Sequence, residues 1–366
     1  MTGVNVEAST TVALVAGWTA GHVYPALSVA EALRRLPDAP RVLFIAGRDG
    51  PAAHALREAG DTLAFVSGSP IKGAGAPGVI RAAANVARSL SQSRALLRRE
   101  RPAIVIGFGS YVTGGVVLAA KSLGIRTAIH EANVRPGLAN RLLSPFVDRV
   151  YLASAEARPY FPAARTVVVG MPVRESMRSA RAQAPDGRSA HLLVASSSRG
   201  EAFLAREVPA LVAALAREGL SISVTHQTGS AAAEDLRRAY ASAGVAADVV
   251  PFITDVASGY RRAHVAIVRG GASTLAELSS AGLPAIVVPL ADASDDHQRA
   301  NGDAFQATGA GLCLPEDRWS VDAAASWAGA LLREPRNWQR ASEAARALSN
   351  DAAAAQLAAD CLGLIA

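Results

Sequence analysis

Short runs of β-branched and aliphatic residues alternate along the chain with Ala-rich stretches, a pattern that predicts βαβ units and parallel sheets. In the front half the runs are Val12–Ala16, Val42–Ala46, Ile104–Ile106, Ala128–His130, Val150–Leu152 and Val167–Val169. In the back half they are Leu192–Ala195, Ile222–His226, Val249–Phe252, Val265–Val268 and Ala285–Val288. Several are apolar without interruption, as strands covered by helices on both faces must be. Two doubly wound α/β domains are expected, joined near Gly170-Met171-Pro172-Val173-Arg174, where Pro172 biases Met171 away from helix and the polar stretch Ser176–Ser189 follows. The expected division is residues 1–170 and 171–366, with the last helix, roughly Asp351–Ile365, able to pack on either domain.

The chain of 366 residues is long enough for two cores. A composition of 50% hydrophobic, 19% charged and 5% aromatic residues excludes a disordered tail, a collagen-like fibre and an aromatic-rich nucleic-acid platform. Cys313 and Cys361 are too few for a disulfide framework and lack metal-ligand spacing, which points to a cytosolic protein without a metal site. No apolar run reaches the roughly 18 residues of a membrane span, and the first twenty residues lack a basic signal-peptide n-region. The net charge of +6 is uneven: residues 1–170 carry 19 Lys and Arg against 10 Asp and Glu, the remainder 18 against 21. A basic front half suits an anionic membrane or a phosphorylated ligand. Ser69–Arg99 sharpens this, with Lys72, Arg81, Arg88, Arg94, Arg98 and Arg99, no acid, and Ile71, Val79, Ile80 and Val86 between them. Such a segment fits an interfacial membrane contact or, equally in kind, a solvated helix face.

Ligands of open α/β sheets bind beyond the carboxyl ends of the strands, and four strand ends here carry unusual turns. Val12–Ala16 runs into Gly17-Trp18-Thr19-Ala20-Gly21-His22, with a helix beginning near Pro25. Ile104–Ile106 runs into Gly107-Phe108-Gly109-Ser110-Tyr111, and Leu192–Ala195 into Ser196-Ser197-Ser198-Arg199-Gly200. Val265–Val268 runs into Arg269-Gly270-Gly271-Ala272, followed by a helix carrying Glu277. Small residues before a helix N-terminus let backbone N–H groups approach a phosphate. One such turn is as readily a tight βα connection, but four favour a phosphate-bearing ligand. A dinucleotide site fits poorly, because Gly17–His22 is not G-x-G-x-x-G and the second strand ends at Gly47-Arg48 rather than an acid.

These residues resemble the MurG family. The resemblance rests on Gly17-x-Thr19-Ala20-Gly21-His22-x-x-Pro25, Gly109-Ser110-Tyr111-Val112, His130-Glu131-Ala132-Asn133 with Pro136–Asn140, and Gly170–Arg174. It continues through Arg269-Gly270-Gly271-Ala272-x-Thr274-x-x-Glu277, Gly282-Leu283-Pro284 and Asp295-Asp296-His297-Gln298-x-x-Asn301. It implies a GT-B fold of two Rossmann-like domains with a cleft between them, and an inverting, metal-independent transferase. The implied reaction moves N-acetylglucosamine from UDP-N-acetylglucosamine to the muramyl hydroxyl of lipid I, giving the peptidoglycan precursor lipid II on the inner face of the cytoplasmic membrane.

The resemblance also implies roles. On the donor side Ile253 meets uracil through its backbone and Glu277 takes the ribose hydroxyls. Arg174, Ser198 and the turn Gly270-Gly271-Ala272 lie near the diphosphate, while Gln298, His297 and Asn301 read the sugar. On the acceptor side His22 is the base, with Thr19, Gly21, Tyr111, His130, Glu131 and Asn133 lining the site. A positioned His titrates near working pH, as deprotonating a sugar hydroxyl requires, and helix N-termini with Arg174 suit a departing UDP. Plainer readings stand beside these: His22 as a helix-start residue, His130 bonded to a backbone carbonyl, Glu277 as a solvated helix residue.

Three loops depart from the family pattern: Trp18 and Ser110 stand where Gly is usual, and Ser196-Ser197 replace a Gly-Gly pair. A serine at positive φ costs of order 1 kcal/mol. Trp18 and the serine loop bear on acceptor choice, so a MurG-like enzyme decorating a natural product is an alternative, as is a non-catalytic sugar-nucleotide-binding protein.

Overall fold

The computed structural model describes residues 10–17, 19–47, 53–67, 76–196, 201–229, 233–291 and 296–365. The chain forms two compact units. The first holds the chain up to Ala132, Pro136–Pro172 and the segment from Ala352 onward; the second holds Asn133–Arg135 and Val173–Asp351.

The first unit is built on a sheet of seven strands: β1 (Thr11–Val15), β2 (Arg41–Ala46), β3 (Thr62–Phe65), β4 (Ile104–Gly107), β5 (Arg126–Glu131), β6 (Arg149–Leu152) and β7 (Thr166–Val168). Their order is β3-β2-β1-β4-β5-β6-β7, and each pair is parallel. The central strand shows why the run Thr-Val-Ala-Leu-Val is wholly apolar after its first residue. Val12 and Leu14 pack on one face with Val23, Ala26 and Leu33 of the helix Ala20–Arg34. Ala13 and Val15 pack on the other with Val112, Val116 and Ala120 of the helix Tyr111–Ser122. Period-two side-chain alternation thus feeds two cores at once.

The final helix, Ala353–Gly363, belongs to this first unit. Leu357, Ala358 and Cys361 enter the core beside the helix Ala20–Arg34, and the Tyr151 hydroxyl donates to Asp360 at 2.8 Å while Arg149 pairs with the same carboxylate at 3.0 Å.

The second unit repeats the plan with β8 (Ser189–Ala195), β9 (Ser221–Gln227), β10 (Ala246–Val250), β11 (Val265–Val268), β12 (Ala285–Val287) and β13 (Gly311–Cys313), ordered β10-β9-β8-β11-β12-β13 and all parallel. Both sheets are therefore doubly wound, the fold class read from the sequence. In each the strand order reverses at the centre, between β1 and β4 and between β8 and β11. That reversal is where such sheets bind ligands.

Two strands escaped the sequence pattern. Thr62–Phe65 is a partly exposed edge of four residues, and Gly311–Cys313 has three residues and begins with glycine. The run expected as Val249–Phe252 ends its pairing at Val250, and Phe252 stands 63% exposed. Among the described residues no helix is long and apolar enough to cross a membrane.

Candidate active site

In the first unit, Thr19 occupies the N-cap position of the helix Ala20–Arg34, and His22 sits in its first turn with Gly21. The Thr19 hydroxyl lies 3.1 Å from His22 Nδ1. When Nδ1 carries the proton and donates to that oxygen, the basic lone pair is on Nε2. The ring is pressed against two strand ends. A Cβ on Gly17 would lie 2.6 Å from His22 Nδ1, and one on Gly109 would lie 2.9 Å from His22 Cδ2. Gly17 follows β1 and Gly109 follows β4, so the imidazole lies at the central reversal of the sheet. Gly109 also has φ +94°, a second reason for glycine there.

Ser110 shares this turn at φ +86° and ψ 168°, a region that is essentially glycine's own. Among the described residues its buried Oγ has no hydrogen-bond partner. The steric cost anticipated for this serine is therefore present.

Two other acceptor-side candidates, His130 and Glu131, are bonded to the protein around them. His130 is 2% exposed at the end of β5; it bonds to the Gly170 backbone, and burial pushes its pKa down to about 4. Its ring lies 5.7 Å from that of Phe108. A neutral imidazole bonded to backbone is the plainer of its two readings. Glu131 Oε2 accepts from the Asn140 side chain at 2.8 Å and from the Gly137 N–H at 3.3 Å, folding Pro136–Asn140 back onto β5. Tyr111 opens its helix; its side chain, Trp18 and Ser197–Gly200, including Ser198, lie outside the described residues, as do Asp295 and the segment 68–75.

In the second unit, Arg174 and Glu277, 103 residues apart in sequence, meet at 3.1 Å. The Tyr260 hydroxyl donates to the second carboxylate oxygen at 3.1 Å. Burial raises the Glu277 pKa, opposed by the Arg174 charge and by hydrogen bonds from Arg174 and Tyr260. Each carboxylate oxygen accepts more than one bond, so this pair retains capacity for ribose hydroxyls. Glu277 is thus an ion-paired residue and not a solvated one.

Gly270 and Gly271 link β11 to the helix Ala272–Ala281, with Gly271 as its N-cap residue. A Cβ on Gly270 would collide with the Gln298 carbonyl, so glycine there lets the helix His297–Ala307 dock on the turn. Gln298 Oε1 accepts from the Leu290 N–H at 3.0 Å. Asn301, 5% exposed, donates to the Gly270 carbonyl at 3.0 Å and to Asn133 Oδ1 at 3.1 Å, and accepts from the Val134 N–H at 3.0 Å. Both amide hydrogens of Asn301 are spent on the fold, so it braces the turn, and Asn133 sits with it. Beneath the turn, Arg269 is held by Glu316 at 2.7 Å and by the Val288 carbonyl at 3.2 Å.

The Ile253 N–H is taken by Gln227 Oε1 at 3.1 Å. Gln227 and Tyr260 were missed in the sequence because a lone Gln at a strand end and a Tyr inside a helix carry no motif. Among the described residues, no group of three His, Cys, Asp or Glu is placed to hold a metal ion.

Comparison with known proteins places this geometry in a family. The family model described as "Glycosyltransferase family 28 N-terminal domain" matches residues 12–152, and "Glycosyltransferase family 28 C-terminal domain" matches residues 191–357. A UDP-N-acetylglucosamine--N-acetylmuramyl-(pentapeptide) pyrophosphoryl-undecaprenol N-acetylglucosamine transferase of Alkalilimnicola ehrlichii is 39% identical, covering 96% of this chain and 98% of that protein. The protein of the same name from Geotalea daltonii is 36% identical, covering 87% and 88%. The crystal structure of Acinetobacter baumannii MurG aligns with TM-score 0.79 and 26% identity over 97% of this chain and 99% of that one. A UDP-N-acetylglucosamine 2-epimerase, 15% identical with TM-score 0.69 over 97% of this chain and 96% of that one, shares the fold alone. Matches along both units, and relatives this similar over nearly their full length, mean that the chain belongs to glycosyltransferase family 28 and, within it, to the MurG family.

Proposed function

We propose that the protein transfers N-acetylglucosamine from UDP-N-acetylglucosamine to the muramyl hydroxyl of a polyprenyl-pyrophosphate-linked acceptor, converting lipid I to lipid II. The observation that carries this reading is the His22 imidazole, oriented by Thr19 and set against the Gly17 and Gly109 turns. The relatives' shared name favours the lipid-linked acceptor over a natural product and over a non-catalytic role.

In this reading His22 Nε2 removes the proton of the attacking hydroxyl, and attack on the anomeric carbon inverts it. Glu277 accepts from the ribose hydroxyls while Arg174 and Tyr260 hold its carboxylate in place. The Ile253 carbonyl takes the uracil N3–H. Charge accumulating on the departing UDP is met by Arg174, by Ser198 and by the first-turn N–H groups of the helix that begins at Ala272, without a metal cofactor. His297 and Gln298 supply polar groups at the sugar.

We place the enzyme at the inner face of the cytoplasmic membrane. Leu138, Leu142 and Phe146 are 58%, 63% and 56% exposed on and beside the helix Leu138–Leu143, which also carries Arg141. This helix packs on Tyr111–Ser122, which packs on Ala76–Glu100 with its exposed Arg88 and Arg98. Apolar side chains beside arginines suit anionic lipid. The deciding experiment incubates the protein with UDP-N-acetylglucosamine and a lipid I analogue, with and without anionic vesicles. Stoichiometric UDP and lipid II are expected; donor binding with no product from that acceptor would refute the acceptor assignment.

A further inference from the structure

Gln227 closes β9, the strand that lies between β8 and β10 in the second sheet. Its side chain reaches both neighbours beyond the point where their ladders stop. The last β8–β9 pair is Val194 with His226, and the last β10–β9 pair is Val250 with Gln227. Past those positions, Gln227 Nε2 donates to the Ser196 carbonyl at 2.7 Å and its Oε1 accepts from the Ile253 N–H at 3.1 Å. Ser196 precedes Ser198 by two residues in sequence; Ile253 follows β10. Twisted strands diverge as they leave the ladder, and a primary amide is the neutral group that both donates and accepts across such a gap.

On the donor reading given above, these two segments meet different parts of one ligand, the diphosphate and the base. We propose that Gln227 is a positioning residue for the UDP-sugar, with two effects. It fixes the spacing of Ser196 and Ile253, so that base and diphosphate are gripped as one ligand. It also occupies the Ile253 N–H, leaving the carbonyl to face the base. A carbonyl accepts the N3–H of uracil, whereas N3 of cytosine carries no hydrogen and needs a donor. Gln227 therefore acts through Ile253 to select the pyrimidine.

The test is calorimetric titration of the whole protein with UDP and with CDP, beside thermal melts. The near-isosteric Q227M removes both bonds. It should weaken UDP binding about ten-fold, the scale of one good hydrogen bond, and shrink the UDP-over-CDP preference, since the freed N–H can now donate to cytosine N3. A Q227M protein with wild-type UDP affinity and preference overturns the inference, and so does one that loses thermal stability alone. If Q227M does not fold, Q227E decides. Its carboxylate still accepts from Ile253 but has no proton for Ser196 at neutral pH, so UDP should weaken while the preference survives; loss of the preference in Q227E overturns the inference. Wild-type protein that binds no UDP refutes the donor reading itself, a result distinct from variants that behave like wild type.

Discussion

Replacing Ser110 by glycine should stabilise the first unit. The serine holds φ +86° and ψ 168°, a conformation that costs a residue with a Cβ about 1–3 kcal/mol. Its buried hydroxyl has no partner among the described residues, and leaving such a group unsatisfied costs about 1–3 kcal/mol more. Against these stand the greater freedom that glycine has in the unfolded chain, about 0.5–1 kcal/mol, and the lost packing of one methylene, about 0.8 kcal/mol. The net gain for Ser110→Gly is about 2 kcal/mol, which for a unit of this size raises the melting midpoint by about 4–8 °C. Ser110→Ala sheds the hydroxyl but keeps the backbone strain, so it should fall between wild type and the glycine variant. Differential scanning calorimetry resolves the shift, which belongs to the transition of the first unit alone. If Ser110→Gly melts at or below the wild-type temperature, the strain argument is wrong and the serine side chain is held by something worth more than its conformational cost.

Three further outcomes follow from the same geometry. His22→Ala should lower turnover by about 10²-fold or more with UDP affinity within two-fold of wild type; equal turnover would remove His22 as the base. Glu277→Ala leaves Arg174 without its 3.1 Å partner and removes the ribose acceptor, so UDP affinity should fall by about ten-fold or more, and unaltered calorimetric affinity would refute the assignment. Stability should fall in acid. His130 in the first unit and His226 in the second, the latter bonded to the Tyr240 hydroxyl at 2.7 Å, are both held by burial at a pKa of about 4. Above pH 6.5 folded and unfolded chains carry both rings neutral and stability is complete. Below it the unfolded chain takes up protons that the folded one refuses, costing about 3 kcal/mol per histidine by pH 4. Urea midpoints measured from pH 7 to 4.5 should show this slope. His130→Asn should flatten it for the first unit only, and an unchanged slope in that variant would disprove the account.

Much of the fold was legible because burial on both sheet faces leaves an uninterrupted apolar signature. β1, β4, β8 and β11 flank the central reversals of the two sheets, and their runs were read to within a residue at most ends, apart from the start of β8, which extends back to Ser189. The strands that escaped sit at or near the edge, where half-exposure dilutes the pattern: β3 is partly exposed throughout, and β13 opens on a glycine that lies against the Ala285 carbonyl and the Phe305 ring. The last helix was visible but not its attachment. What fixes it to the first unit is Asp360, an ordinary helix acid whose partners Arg149 and Tyr151 lie some 210 residues earlier.

The site was legible in the same uneven way, and the reason is the direction in which information runs. Motif residues announce chemistry, so Arg174 and Glu277 could be named, and the structure brings them together. A motif does not say whether a polar side chain faces a ligand or the protein behind it. Asn301, His130 and Glu131 belong to recognisable motifs, yet their hydrogen bonds run to Gly270, Gly170, Gly137 and Asn140. They hold glycine-containing turns in place. Glycine turns bring backbone close to a ligand but have no side chain with which to fix their own shape, so each needs a neighbouring polar residue to pin it. A family that keeps the turns must keep the pins. From sequence alone, pins and ligand contacts are therefore indistinguishable, and hydrogen-bond accounting in three dimensions sorts them: a group whose donors are spent on backbone holds a turn, and a group with acceptor capacity left, such as Glu277, has bonds to offer a ligand.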